Sequence, residues 1–181
     1  MKKSIILLAV MLVAALGTQA QDLIEYALMQ QHNASTASAS ATGSATANIV
    51  IPLEITKNVD LAFGNIAAGP SAGVVTIATD GTRSGVGGVT LISAGNVSNS
   101  AQFSITGYPS ATFAIALPGS ITIANGGYQM TVDGFVSSLG TTSTLDFNGQ
   151  SALNIGANLN VNAGQEPGLY TGSFDVTVAY N

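Results

Sequence analysis

Residues 170 to 181 read Tyr-Thr-Gly-Ser-Phe-Asp-Val-Thr-Val-Ala-Tyr-Asn, and the alternation in this stretch constrains the fold more than any other. Tyr170, Phe174, Val176, Val178 and Tyr180 fall on one face of an extended strand, and Thr171, Ser173, Asp175, Thr177 and Asn181 on the other. Side chains of a strand alternate between its two faces, so a period of two describes a strand half buried on a core. Gly172 sits on the apolar face and predicts a bulge or a close approach of another backbone. The expected strand reaches the last residue, where chains fray unless a sheet holds them. It is therefore expected to matter to closing the fold or to joining it to neighbours.

The opposite end reads as an address. Met1-Lys2-Lys3 supplies positive charge, Ser4 to Leu16 an apolar run, and Thr18-Gln19-Ala20 a small-residue cleavage site, the pattern of a signal peptide over residues 1–20. The apolar run is shorter than the roughly 20 residues a membrane-spanning helix needs. The expectation is an exported chain with no membrane span once processed, located in the periplasm, on the cell surface or outside the cell. Of four basic residues, two lie in this segment, so residues 21–181 keep Lys57 and Arg83 against nine acids, a formal charge of 2 − 9 = −7. Nucleic acid binding rests on Lys and Arg displacing counterions from phosphates, so no nucleic acid partner is expected. The chain has no Cys, so sheet hydrogen bonds and apolar burial carry its stability without disulfides.

Residues 33–47 are almost wholly Ala, Ser and Thr, too small to bury the apolar surface that repays ordering. Residues 21–47 therefore read as a flexible arm, with an apolar patch at Asp22 to Met29. From residue 48 the chain reads as short strands punctuated by turns. Ile49, Ile51, Leu53 and Ile55 alternate, with Pro52 marking an edge or a bulge. A Gly-Pro turn is expected at 69–70 and another at Asp80-Gly81. Asn125-Gly126 and Asn148-Gly149 read as tight hairpins, and Leu153 to Val161 alternates again. About ten short strands with frequent turn signals predict an all-β fold over residues 48–181, an antiparallel sandwich or barrel, with the sandwich favoured because each strand offers one apolar face to a shared core.

Catalytic machinery is hard to assemble from these residues. The single histidine, His32, lies in the arm, whereas a nucleophile needs a rigidly held base and an orienting carboxylate. Metal sites built from Cys and His are excluded by count. Asp80-Gly and Asp133-Gly read as turns rather than calcium loops. Gly85-Val-Gly-Gly88 lacks the helix and lysine of a phosphate cradle. No catalytic residue, metal ligand or cofactor is predicted, and the expectation is a protein that is not an enzyme.

Two stretches carry a resemblance. Ile49-Val-Ile-Pro-Leu-Glu-Ile-Thr-Lys-Asn-Val-Asp-Leu-Ala-Phe-Gly64 resembles the opening, and Pro167-Gly-Leu-Tyr-Thr-Gly-Ser-Phe-Asp-Val-Thr-Val-Ala-Tyr180 the closing strand, of an exported bacterial domain-of-unknown-function family, number 4402. The closing motif is similar to the ends of spore coat protein U domains and of archaic chaperone–usher pilins. That similarity implies an antiparallel immunoglobulin-like β-sandwich and a fimbrial-like pilus subunit that polymerises when one copy's N-terminal segment completes the next copy's sheet. It also implies a periplasmic chaperone and an outer-membrane usher as partners. The absence of Cys departs from the archaic pilins.

Strand addition needs an arm with alternating apolar residues and an incomplete sheet to receive it. Ile24, Tyr26 and Leu28 are the candidate anchors, and the Ala/Ser/Thr run is the alternative donor. Residues 22–29 packing on their own domain is the competing reading. The function expected is a structural subunit of a surface fibre or coat, self-associating or joined to related subunits. The alternative is a secreted monomeric module that binds glycan or another surface component.

Overall fold

Turn residues divide the chain after residue 48 into strands of alternating polarity, and the computed structural model, which describes residues 38–95 and 97–181, pairs them antiparallel throughout. The chain divides into two units, Met1–Ala47 and Asn48–Asn181. Of the first, residues 38–47 are described; they are exposed and form no regular structure. The second holds ten strands: β1 (Glu54–Val59), β2 (Asn65–Ile77), β3 (Arg83–Ile92), β4 (Ala101–Thr106), β5 (Thr112–Ala116), β6 (Ser120–Asn125), β7 (Tyr128–Ser137), β8 (Thr142–Thr144), β9 (Gln150–Val161) and β10 (Thr177–Tyr180). There is no helix among the described residues. The all-β, antiparallel sandwich expected from the alternation is the fold observed.

β9 organises the larger sheet. It pairs β4 along residues 150–155, β2 along 157–161 and β7 along 155–160. Ile155 faces both β4 and β7, and Asn158 to Asn160 face both β2 and β7. A strand has two edges, so β4 and β2 follow one another along one edge of β9 while β7 lies on the other. β1 extends β4, β3 extends β2 and β6 extends β7, giving seven strands. The second sheet is β10-β5-β8.

Two apolar clusters fill the space these layers enclose. The first joins Ala101, Ile105, Leu153 and Ile155 of the large sheet to Phe113, Ile115 and Leu145. The second joins Val75, Met130, Val132, Ala157, Leu159 and Val161, with Ile66, Val89 and Leu91 packed against them. Leu61 and Phe135 touch both clusters and make the core continuous. Odd-numbered residues of β9 from Leu153 to Val161 are buried, as its alternation requires.

The β2–β3 hairpin is bent rather than straight. Its register jumps between Ala68, opposite Val89, and Gly73, opposite Gly87. Gly69 and Pro70, expected as a turn, lie inside β2 at this irregularity, where a residue without an N–H is tolerated. Gly88 permits the bend, because a Cβ there would collide with the carbonyl of Ser71. Arg83 then fastens the folded hairpin. Its Nη1 donates to the carbonyls of Phe63 (3.0 Å) and Asn65 (3.3 Å), and Nη2 to that of Ile92 (3.0 Å). In a straight hairpin, Ile77 beside Arg83 and Asn65 beside Ile92 would stand about 40 Å apart at the usual rise per strand residue.

Three local expectations are corrected. The first strand begins at Glu54, beyond Pro52, and Ile49 to Ile51 are exposed and unpaired. The terminal strand is Thr177–Tyr180, not residues 170–181. Thr171 instead forms an isolated bridge to Ala124 of β6. The Asn148-Gly149 turn joins β8 to β9, which lie in different sheets, so it is a corner and not a hairpin. Asn125-Gly126 does close a hairpin, β6–β7, as its turn chemistry predicts.

Candidate functional site

The C-terminal face predicted from sequence is divided between the two clusters. Phe174, Val176, Val178 and Tyr180 are half-buried against the cluster around Phe113, whereas Tyr170 packs against the one around Leu159. The Phe174 ring lies 5.0 Å from that of Phe135 and 6.4 Å, edge-on, from that of Phe103. Gly172 marks the crossing between clusters. A Cβ on it would stand 2.7 Å from the carbonyl oxygen of Thr122, which is the close backbone approach expected of a glycine on this face. Ile24, Tyr26 and Leu28, and His32, lie outside the described residues.

β10 ends its sheet. It pairs β5 through Thr177–Ala116, Val178–Ile115, Ala179–Ala114 and Tyr180–Phe113, and no described strand covers its other edge. One row of its backbone donors and acceptors is therefore left open, the arrangement that accepts an added strand. The Tyr180 hydroxyl anchors the end of this strand. It accepts from the backbone N–H of Tyr108 at 2.6 Å and donates to the carbonyl of Ile51 at 2.8 Å. That second bond holds the segment before β1 at the tip of the Tyr180 side chain. Ile49, Val50 and Ile51 in this segment are 94%, 44% and 58% exposed. Three successive β-branched residues in water form an apolar patch with no role in the core of one copy. The alternation of 49–55 pointed to a strand here; the exposure of its first half was not readable from it.

The outward face of the large sheet is polar and nearly uncharged. Across its registered rows stand Thr106 and Gln150, Gln102 and Asn154, Thr76 and Asn158, and Thr131 and Asn160. Side chains lock these rows together. Thr76 Oγ1 donates to Asn158 Oδ1 at 2.8 Å, and Asn160 Nδ2 to Asp133 Oδ2 at 2.8 Å. Lys57 pairs with Asp60, an exposed contact that contributes little to stability. Arg83 is occupied by carbonyls. The Thr82 backbone N–H, with the Thr82 side chain, holds the Asp80 carboxyl below the ordinary aspartate range, so it serves its turn. Among the described residues no group of three or more His, Asp or Glu converges on a point that could hold a metal ion. No helix among them is long and apolar enough to cross a membrane.

The fold and this open edge define an all-β, sandwich-forming domain. The sequence matches the family described as Domain of unknown function (DUF4402) over residues 53–180. The chain belongs to that family. No curated protein and no solved structure matches it.

Proposed function

We propose that this chain is an exported, non-enzymatic structural subunit of a surface fibre or coat, and that copies join by strand addition. The observation that carries the reading is the uncovered edge of β10, with the exposed Ile49–Ile51 segment tied to its Tyr180 hydroxyl. An open edge is a liability in a monomer and is normally blunted by charge, proline or cover. Thr177–Tyr180 holds no charge and no proline. An incoming strand would satisfy the open ladder row and cover the apolar patch, two gains from one contact. The residues offered as donor are 22–47, with Ile24, Tyr26 and Leu28 as the anchors that alternate along it. The family resemblance adds a periplasmic chaperone and an outer-membrane usher as the partners that would shield and deliver such an edge.

Deletion of residues 22–47 behind an intact signal tests this. Electron microscopy and size-exclusion chromatography of the secreted protein are expected to show polymers for the full chain and folded monomers for the deletion. Tyr26→Asp is expected to block assembly and Glu25→Ser to leave it intact. If Tyr26→Asp is silent and Ala41→Asp or Ala45→Asp disrupts, the Ala/Ser/Thr run is the donor. A full chain that stays monomeric at high concentration and with its export partners present refutes the reading.

A further inference from the structure

One end of the sandwich carries two exposed aromatic side chains, Tyr108 and Phe147, that neither the core nor the open edge uses. Two loops, 107–111 and 145–149, are fastened by their backbones. Gly107 N donates to Gly149 O at 2.9 Å, Ser110 N to Asp146 O at 3.0 Å, and Leu145 N to Ala111 O at 2.9 Å. The Asp146 carboxylate closes its own turn, with Oδ1 accepting from the N–H groups of Asn148 (2.9 Å) and Gln150 (2.8 Å). Ser110 has a φ of 60°, the one positive value outside glycine among the described residues. Backbone strain of this kind gathers at binding and catalytic sites.

Phe147 projects from this frame at 81% exposure, with Tyr108 at 41% on the loop bonded to it. The turn does not need the ring, because Asp146 and Gly149 make its hydrogen bonds. An aromatic side chain held in water on a rigid corner gains nothing within the fold. Asp146, Thr106 and Gln150 line a shallow, open hollow on the sheet face, and Phe147 and Tyr108 stand on the loops that adjoin it rather than in its lining.

We infer that this end of the domain binds a neutral saccharide. The inference goes beyond the subunit reading and stands without it. A sugar ring presents an apolar C–H face and a rim of hydroxyls. The Phe147 and Tyr108 rings match the first by contact with an aromatic face. The Thr106 hydroxyl, the Gln150 amide and the Asp146 carboxylate, all exposed, match the second as donors and acceptors. Among the described residues no Lys or Arg lines the hollow. The one charge lining the hollow is negative. An acidic sugar would meet repulsion there and a neutral one would not.

Saturation-transfer NMR and calorimetry on the full secreted chain test the site, with cellotetraose, maltotetraose and tri-N-acetylchitotriose as neutral probes and trigalacturonate as the acidic control. At least one neutral probe is expected to bind with a Kd of about 0.1–1 mM, which corresponds to roughly 4–5.5 kcal/mol. Phe147→Ala is expected to weaken it about tenfold, equivalent to ~1.4 kcal/mol. Phe147→Trp keeps the ring and is expected to keep the affinity. Leu169→Ala, at another apolar residue that is 73% exposed, is expected to change nothing. Since the Phe147 side chain is in solvent, its variants fold and the comparison stays interpretable. Absence of binding by every neutral probe at about 10 mM, above the expected Kd range, equal affinity of Phe147→Ala, or preference for trigalacturonate overturns the inference. Loss of self-association in Phe147→Ala without any saccharide binding also overturns it and assigns the ring to packing between subunits.

Discussion

Replacing Arg83 tests whether the bent hairpin is held by one side chain. Its guanidinium makes three bonds to main-chain carbonyls, two of them part-buried and one exposed. Bonds from a charged donor contribute about 1.5–3 kcal/mol each. The exposed carbonyl regains water when the donor is removed, and the other two share one group, so the loss is worked as about 3 kcal/mol rather than the full sum. Arg83→Met keeps a long apolar stem and removes only the donors, which separates hydrogen bonding from packing. Against a usual domain stability of about 5–15 kcal/mol this loss is large, and a urea melt resolves it at unchanged m. Arg83→Lys supplies a point charge that cannot span three acceptors, so it is expected to fall between Met and the parent. Hydrogen exchange adds a spatial readout: amides of residues 65–68 and 89–92 are expected to lose protection before those of β9. If both variants melt within about 0.5 kcal/mol of the parent, the scatter of ordinary surface changes, Arg83 does not hold the bend.

Val176 is half-buried on the core and Asp175 faces water, so Val176→Asp is expected to cost about 1–3 kcal/mol in a denaturant melt and Asp175→Ser less than about 0.5. Equal effects would mean that the faces of this segment are assigned the wrong way round. Asp80 titrates below its ordinary range because the folded state donates to its carboxylate. Its contribution to the turn is therefore complete above the unfolded value and lost as pH falls through the folded one, a trend that carboxyl-detected NMR follows directly. Thr82→Ala is expected to raise the midpoint part of the way, since the backbone bond from residue 82 remains.

What the sequence discloses depends on whether a strand's partners are written in its own residues. β9 is legible because each of its inward positions, from Leu153 to Val161, is apolar and its neighbours lie within one sheet. The β6–β7 hairpin is legible because Asn125-Gly126 dictates a local turn. Gly69-Pro70 misleads because the same two residues serve a turn and a bulge, and only the pairing of Ala68 with Val89 and Gly73 with Gly87 separates them. Asn148-Gly149 misleads in the same way, since a tight turn can join two strands of one sheet or cross between sheets. Phe147 carries no sign of its exposure, because an aromatic beside a turn is as often buried under it.

Residues 170–180 show where alternation stops being informative. Their apolar positions do face inward, yet Thr171 belongs to an edge bridge of the large sheet and Thr177 to the small sheet. Between them Gly172 passes against the backbone of Thr122, and Phe174 enters the core between Phe103 and Phe135. A period of two records which side of the chain is apolar and nothing about which backbone lies alongside. The side chains of Thr177–Tyr180 would read identically in a strand paired on both edges. The open ladder row on which strand addition depends is thus a property of topology, set by where β5 lies and by the absence of a described strand beyond β10. What local sequence does encode is the means of keeping that edge in place: Tyr180 ends the strand with a hydroxyl that is bonded to the backbones of Tyr108 and Ile51.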